Sequence, residues 1–197
     1  MNLNHVAKRV LITGGTGTGK TTLAEKLVRE DSARRKFVYD PEEEFCARFD
    51  IDPCRTPEEL IEKTAKGGWV VYVPDDFEEF GYGDDKNPGG LAFFCEFVLA
   101  QCKAVKGQKI FLFDEADVLT TATKYPRHLV ALLQTGRRYE CDCYMISGQP
   151  NRLHNAVQAK ITEVYTFLQV DQPACEWLNS VGIPEETVRG LGEHGVA

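Results

Sequence analysis

A glycine-rich segment near the start of the sequence has the spacing of a phosphate-binding loop. Residues 14–21 are Gly-Gly-Thr-Gly-Thr-Gly-Lys-Thr and fit the pattern G-x-x-x-x-G-K-[ST]. Glycines let the backbone wrap closely around phosphate oxygens, so that N–H groups and the start of the following helix face the anion. We expect Lys20 to reach the β- and γ-phosphates and the Thr21 hydroxyl to ligate Mg²⁺. The predicted nucleoside triphosphate site comprises Gly14, Gly15, Thr16, Gly17, Thr18, Gly19, Lys20, Thr21 and Thr22.

A second segment carries the carboxylates that triphosphate hydrolysis needs. The apolar run 109–113 predicts a strand, and Asp114 and Glu115 follow it directly. We expect Asp114 to hold Mg²⁺, usually through water, and Glu115 to orient and deprotonate the attacking water. The alternative is a solvated strand end without catalytic function. Glu115 favours hydrolysis over phosphoryl transfer to a small molecule.

A third segment ends another predicted strand at Ser147-Gly148-Gln149. Gln149 is expected to sense the γ-phosphate or to position water, as glutamine does in other nucleotide hydrolases; the alternative is a structural cap for the next helix. Arg137 and Arg138 precede this strand, and an arginine can stabilise the transferring phosphoryl group in cis or from a neighbouring subunit. The alternative for both arginines is an exposed, solubilising role.

The elements that position these residues alternate along the chain. Predicted strands lie at 10–12, 37–40, 69–73, 109–113, 144–146 and 163–168, with helices at 22–27, 56–67, 91–102, around 129–133 and at 174–181. Apolar strands alternating with helices predict an α/β fold, a mostly parallel sheet flanked by helices on both faces. Glu42–Glu44 are expected to form a solvated turn, and no structure or role is assigned to the acidic loop at 75–90. We expect a single domain over 1–197, with a core of about 8–181 and a C-terminal tail at 182–197.

Composition limits the functional classes. The chain has 197 residues, a net charge of −7 and seven cysteines without a C-x-x-C pair, so disulfide and zinc sites are not expected. Without a run of about 18 apolar residues, no membrane span is expected. The net charge argues against nonspecific nucleic-acid binding by the whole surface but leaves a local basic patch or a central channel open. We expect a reducing compartment.

Together these motifs resemble the HerA/FtsK superfamily of DNA-pumping ATPases. The resemblance rests on the loop 14–21, the strand ending in Asp114-Glu115, the spacing of Arg138 and Gln149, and the segment 155–167, and it spans about 8–181. The small size is most similar to that of the viral genome-packaging ATPases of this superfamily, found in membrane-containing icosahedral viruses. The resemblance implies a RecA-like (ASCE) P-loop core that uses ATP and Mg²⁺.

The resemblance also implies partners. Such proteins form homo-oligomeric rings, hexamers or pentamers, in which an arginine matching Arg138 reaches the neighbour's nucleotide. The implied activity is ATP-driven translocation of double-stranded DNA into a preformed capsid, with capsid or packaging-vertex proteins as further partners. The implied location is the host cytoplasm, with association with the virion left open. The loop 120–128 is expected to face the DNA, with Lys124 and Arg127 contacting phosphates; an ordinary exposed loop is the alternative.

Three other functions remain open. Asp114-Glu115-Ala116-Asp117 spells the box of DEAD-type RNA helicases, which also carry a serine-started motif like that at Ser147. A small-molecule kinase would use Arg137 and Arg138 as lid residues. A non-catalytic, nucleotide-dependent assembly protein is the third alternative.

Overall fold

The fold is built on a sheet of parallel strands, seen in a computed structural model that describes residues 6–74, 90–121, 125–192 and 195–197. The strands are β1 (Arg9–Thr13), β2 (Arg35–Tyr39), β3 (Trp69–Tyr72), β4 (Lys109–Phe113), β5 (Cys141–Ser147) and β6 (Glu163–Thr166). In the described residues the sheet has six strands in the order β3-β2-β4-β5-β1-β6, and every pairing is parallel. The predicted α/β fold is confirmed.

Helices cover both faces of this sheet. They are α1 (Lys20–Glu30), α2 (Glu44–Phe49), α3 (Pro57–Lys66), α4 (Gly90–Ala104), α5 (Ala116–Leu119), α6 (Arg127–Thr135), α7 (Asn155–Gln158), α8 (Gln172–Ser180) and α9 (Glu185–Arg189). On one face, residues of α4 and α6 join Phe111 and Met145 in a buried cluster. On the other face, α1 and α2 pack with Ile12 and Leu112. Burial on both faces explains why the strands are continuous apolar runs.

The strand register brings the predicted chemical groups to one edge. Phe113 pairs with Met145 between β4 and β5, and Thr13 pairs with Ser147 between β1 and β5. The segments that follow β1, β4 and β5 therefore leave the sheet at the same carboxyl end. These segments hold the phosphate-binding loop, Asp114-Glu115 and Gln149.

The expectation of a solvated turn at Glu42–Glu44 is wrong at Glu44, because α2 begins there. The Asp40 carboxylate accepts hydrogen bonds from the backbone N–H of Glu44 at 3.0 Å and of Cys46 at 2.8 Å. Phe45 and Phe49, four residues apart, bury the apolar face of this helix. Three consecutive glutamates obscured the helix start, which Asp40 stabilises from the end of the preceding strand by accepting N–H groups of the first turn.

Other local predictions hold or fall outside the described residues. The helix predicted at 56–67 is observed as α3, and it begins with a capping box in which Thr56 and Glu59 bond each other's backbone. Beyond residue 181 the chain forms α9 and returns to β6, where Ala197 and Thr166 exchange backbone hydrogen bonds of 2.9 and 2.8 Å. The loop at 75–90 lies outside the described residues except for Gly90, the first residue of α4. Among the described helices, none has the length and hydropathy needed to cross a bilayer.

Candidate nucleotide and catalytic site

The phosphate-binding loop between β1 and α1 requires glycine for steric reasons. Gly14 has φ +152°, and a Cβ at this position would lie 2.6 Å from the Cβ of Phe167 and 2.9 Å from Oγ1 of Thr18. Gly19, directly before α1, has φ +108°. The loop thus packs against the segment after β6 in a conformation that side chains would block.

Hydrogen bonds hold this loop in place around the Gly15 peptide. Its N–H donates to the Leu168 carbonyl at 2.9 Å, and its carbonyl accepts from Thr18 Oγ1 at 2.8 Å and Lys20 Nζ at 2.9 Å. No side chain of the described residues caps the start of α1, so its first N–H groups remain free for an anion. Lys20 holds its charge at the loop, where a phosphate oxygen would be a competing acceptor.

Asp114 places a carboxyl group opposite the phosphate-binding loop. Its side chain is only 5% exposed, and its Oδ1 accepts the Glu115 N–H at 2.8 Å. Burial raises the pKa of the Asp114 carboxyl to about 7, and the nearby charges of Glu115, Glu44 and Asp40 add to the rise. Crowded carboxylates of this kind fit a cation, which would lower their mutual repulsion.

The donors available fit Mg²⁺ bound together with a nucleotide. Thr21 and Asp114 line the same cleft, and they would supply a hydroxyl and a carboxylate. Within the described ranges, no group of three or more His, Cys, Asp or Glu forms a metal cage. Mg²⁺ commonly takes one or two protein ligands and completes its shell with phosphate oxygens and water.

Glu115 is held in an unusual backbone conformation directly before α5. Its φ of 53° and ψ of 40° lie in the left-handed region, which costs a non-glycine residue on the order of 1 kcal/mol. Burial raises its pKa, as do the charges of Asp117 and Glu42, while Lys20 acts in the opposite direction. A carboxylate with a raised pKa is a stronger base than a solvated one.

Glu44 is a site residue that the sequence analysis missed. Thr21 Oγ1 donates to Glu44 Oε2 at 3.3 Å, and Arg48 forms an ion pair of 2.7 Å with Glu44 Oε1. In the sequence Glu44 appears only as part of the acidic run 42–44, which was assigned to a solvated turn. The cleft has a volume of about 280 Å³ and is lined by Thr16, Gly17, Gly19, Lys20, Thr21, Thr22, Glu42, Glu44, Arg48, Asp114 and Glu115.

Gln149 follows β5 and is fixed through its backbone. The N–H groups of Gly148 and Gln149 donate to the two oxygens of Asp117, each at 3.1 Å. The Gln149 side chain makes no cap to the 3-10 turn Pro150–Arg152, which disfavours the capping alternative. Within the described part of the chain, its buried Oε1 has no hydrogen-bond partner.

Arg137 and Arg138 lie at the other end of β5. Both are exposed in the 3-10 turn Gly136–Tyr139 that precedes this strand, whereas the cleft adjoins its carboxyl end. Seven residues of strand span about 23 Å, so neither guanidinium reaches the cleft of its own chain. Arg138 instead borders a groove of about 550 Å³ that also exposes Lys103 and Lys106.

The predicted DNA-contact residues are only partly described. Lys124 lies outside the described residues, and Arg127 is exposed at the start of α6. Next to it, His128 Nε2 lies 3.7 Å from Glu96 Oε2. The Tyr125 ring packs on His154 with ring centroids 3.9 Å apart, which ties this loop to the segment after β5.

Comparisons with known proteins agree with this architecture. Residues 1–56 match the family model of the type IV secretion-system coupling protein DNA-binding domain, and no curated protein gives a match. The genome-packaging NTPase B204 of Sulfolobus turreted icosahedral virus 2, solved with AMPPCP, has a TM-score of 0.70 at 15% identity and covers 98% of this chain and 90% of its own. The N-terminal domain of zonular occludens toxin from Neisseria meningitidis has a TM-score of 0.54 at 18% identity, covering 83% of this chain and 78% of its own. The cytoplasmic domain of EssC has a TM-score of 0.51 at 14% identity, covering 89% of this chain and 33% of its own.

At these identities the structural matches establish the fold. The family model matches the part of this chain that contains the phosphate-binding loop at 14–21. The resemblance to the HerA/FtsK superfamily and the RecA-like P-loop fold predicted from the sequence are therefore confirmed.

Proposed function

We propose that this chain is an ATP-hydrolysing subunit of a ring that translocates double-stranded DNA, and that the ring packages a viral genome. The proposal takes residues 1–197 as one P-loop ATPase domain. The observation that carries it is the cleft itself, in which Asp114 and Glu115 face Lys20 and Thr21. Support for DNA as the partner comes from a family model described as a DNA-binding domain and from the fold shared with a genome-packaging NTPase.

In the proposed reaction, the chain binds ATP and activates water. The loop N–H groups and Lys20 would bind the phosphates, and Thr21 and Asp114 would hold Mg²⁺, which supplies charge neutralisation when bound. Glu115 would accept a proton from water as the water oxygen bonds to the γ-phosphorus and the bond to the ADP oxygen breaks. Gln149 would orient this water or contact the γ-phosphate.

Arg138 is assigned to the neighbour's site. Because its own cleft lies a full strand length away, its guanidinium would act in trans, where such an arginine is worth roughly 10³–10⁵ in rate. A monomer should therefore be almost inactive, and specific activity should rise with protein concentration. Arg138→Ala should bind ATP normally yet hydrolyse it poorly.

Mixing two inactive variants tests this assignment. In mixed rings of Arg138→Ala and Glu115→Gln, some interfaces join an intact Glu115 to an intact Arg138 and should regain ATP hydrolysis. A parallel mixture of Arg137→Ala with Glu115→Gln is the matched control for the adjacent arginine. No recovery in demonstrably mixed oligomers would contradict the trans assignment of Arg138.

DNA contact is tested by the effect of DNA on the ATPase. Neutralising Lys124 and Arg127 should reduce stimulation by double-stranded DNA and flatten its salt dependence, because fewer phosphates are neutralised on binding. Neutralising Lys103 and Lys106, which lie beside the amino ends of β4 and β5, is the matched control. If only the control variant lost stimulation by DNA, the DNA contact would be assigned to Lys103 and Lys106 instead. Wild-type ATP hydrolysis that double-stranded DNA leaves unchanged would contradict translocation itself.

If the ring packages a genome, the further partners would be capsid or packaging-vertex proteins and the place of action the host cytoplasm or the virion. Binding of the ring to capsids would distinguish genome packaging from other kinds of DNA translocation. The experiment is binding of assembled rings to empty capsids, with the Lys20→Ala variant as a nucleotide-binding control. DNA-stimulated hydrolysis without capsid binding would support a translocase of another kind.

A further inference from the structure

Asp117 links two catalytic segments that are far apart in the sequence. It is the second residue of α5, two residues after Glu115. Its Oδ1 accepts the Gly148 N–H and its Oδ2 accepts the Gln149 N–H, each at 3.1 Å. A carboxylate that binds two successive peptide N–H groups fixes both the position and the orientation of that backbone.

The peptide that Asp117 binds is held from the other side as well. The buried Gln169 donates from Nε2 to the Gly148 carbonyl at 2.8 Å and to Thr13 Oγ1 at 3.3 Å. Thr13 ends β1, directly before the phosphate-binding loop. The segment after β5 is therefore tied to Asp117 through its N–H groups and, by way of the Gln169 side chain, to the end of β1.

Two further features of this arrangement are unusual. The buried Oε1 of Gln149 has no donor among the described residues, although its backbone is fixed by a charged group. Glu115 occupies the left-handed region at the junction that carries Asp117. Backbone held in a sparsely populated conformation near catalytic groups is typical of pre-organised sites.

We propose that Asp117 is a positioning residue that joins Gln149 to Glu115, so that contact of Gln149 with the γ-phosphate or water sets the position of the catalytic base. This inference rests on the proposed hydrolysis of ATP and adds a coupling residue to it. Asp117 itself touches neither nucleotide nor water in this role. It acts by holding the backbone of one catalytic residue against the element that carries the other.

The test measures ATP hydrolysis in the absence of DNA, so that its result does not depend on whether the protein translocates DNA. Asp117→Asn replaces one acceptor oxygen by an amide N–H that faces a backbone N–H, which removes one of the two bonds. We expect kcat to fall about 10- to 100-fold, as expected for loss of a hydrogen bond to a charged group. KM for ATP and the Kd of a non-hydrolysable analogue should stay within about twofold of wild type, because the phosphate-binding loop is untouched.

A double-mutant cycle with Gln149→Ala separates positioning from a general structural role. If Asp117 acts through Gln149, the double variant should be no slower than Gln149→Ala alone. The matched control is Asp171→Asn, since Asp171 also accepts a backbone N–H, that of Ala174 at 3.1 Å, but caps α8. This control should keep its kcat. Additive losses in the cycle, an equal loss in the control, or a loss of analogue binding together with thermal stability would overturn the proposal.

Discussion

Removing the charge of Asp114 should stabilise the nucleotide-free fold. Burial and the surrounding carboxylates raise the pKa of Asp114 from 3.8 to about 7. The native state therefore binds this proton more tightly than the unfolded state, and stability falls as pH rises between these two values. One pKa unit corresponds to about 1.4 kcal/mol, so an ionised Asp114 costs about 4 kcal/mol above about pH 7. Below about pH 4 the carboxyl is protonated in both states, and the cost disappears.

Asp114→Asn keeps an acceptor for the Glu115 N–H and removes the charge. At about pH 8, without metal or nucleotide, we expect the free energy of unfolding to rise by about 2–4 kcal/mol, or Tm by roughly 5–15 °C. Urea denaturation in the presence of a chelator measures this at about pH 8 and about pH 4, with the exposed Asp52→Asn as control. The same variant should lose Mg²⁺-dependent ATP hydrolysis. Equal stability of variant and wild type at the higher pH, or a gain that persists at the lower pH, would refute the argument.

Three further substitutions test the cleft. Gly14→Ala would force a Cβ to within 2.6 Å of Phe167, so we expect a loss of about 1–3 kcal/mol in urea denaturation together with weaker ATP binding; unchanged stability would show that the loop has another conformation. Glu115→Gln should retain ATP and Mg²⁺ binding while turnover falls roughly 10²–10⁴-fold, and turnover at the parent rate would remove Glu115 as the base. Lys20→Ala should raise the Kd for ATP about 10- to 100-fold, which calorimetry measures directly, and an unchanged Kd would contradict its contact with the phosphates.

The parts of this fold that could be predicted are those encoded locally. The buried strands are continuous apolar runs, and the phosphate-binding loop and Asp114-Glu115 follow two of them directly, so their common edge follows from parallel pairing. Glu44 could not be assigned in this way, because its role depends on α2 and on a contact with Thr21 made only in three dimensions. The bonds from Asp117 to the backbone at Gly148 and Gln149 join residues 31 and 32 positions apart, and no sequence spacing indicates them. Arg138 is exposed at the far end of β5, and its action on a neighbouring subunit stays a prediction.

The carboxylates of the cleft also determine which form of the nucleotide can enter. Glu42, Glu44, Asp114 and Glu115 gather negative charge beside the loop that would bind phosphates. Metal-free ATP would bring more negative charge next to these carboxylates, whereas much of the charge of the magnesium complex is already neutralised. The cleft is therefore expected to bind the magnesium complex of ATP more tightly than free ATP. Under the proposed function, the rate of translocation would then depend on the cell's free Mg²⁺ concentration as well as on its ATP concentration.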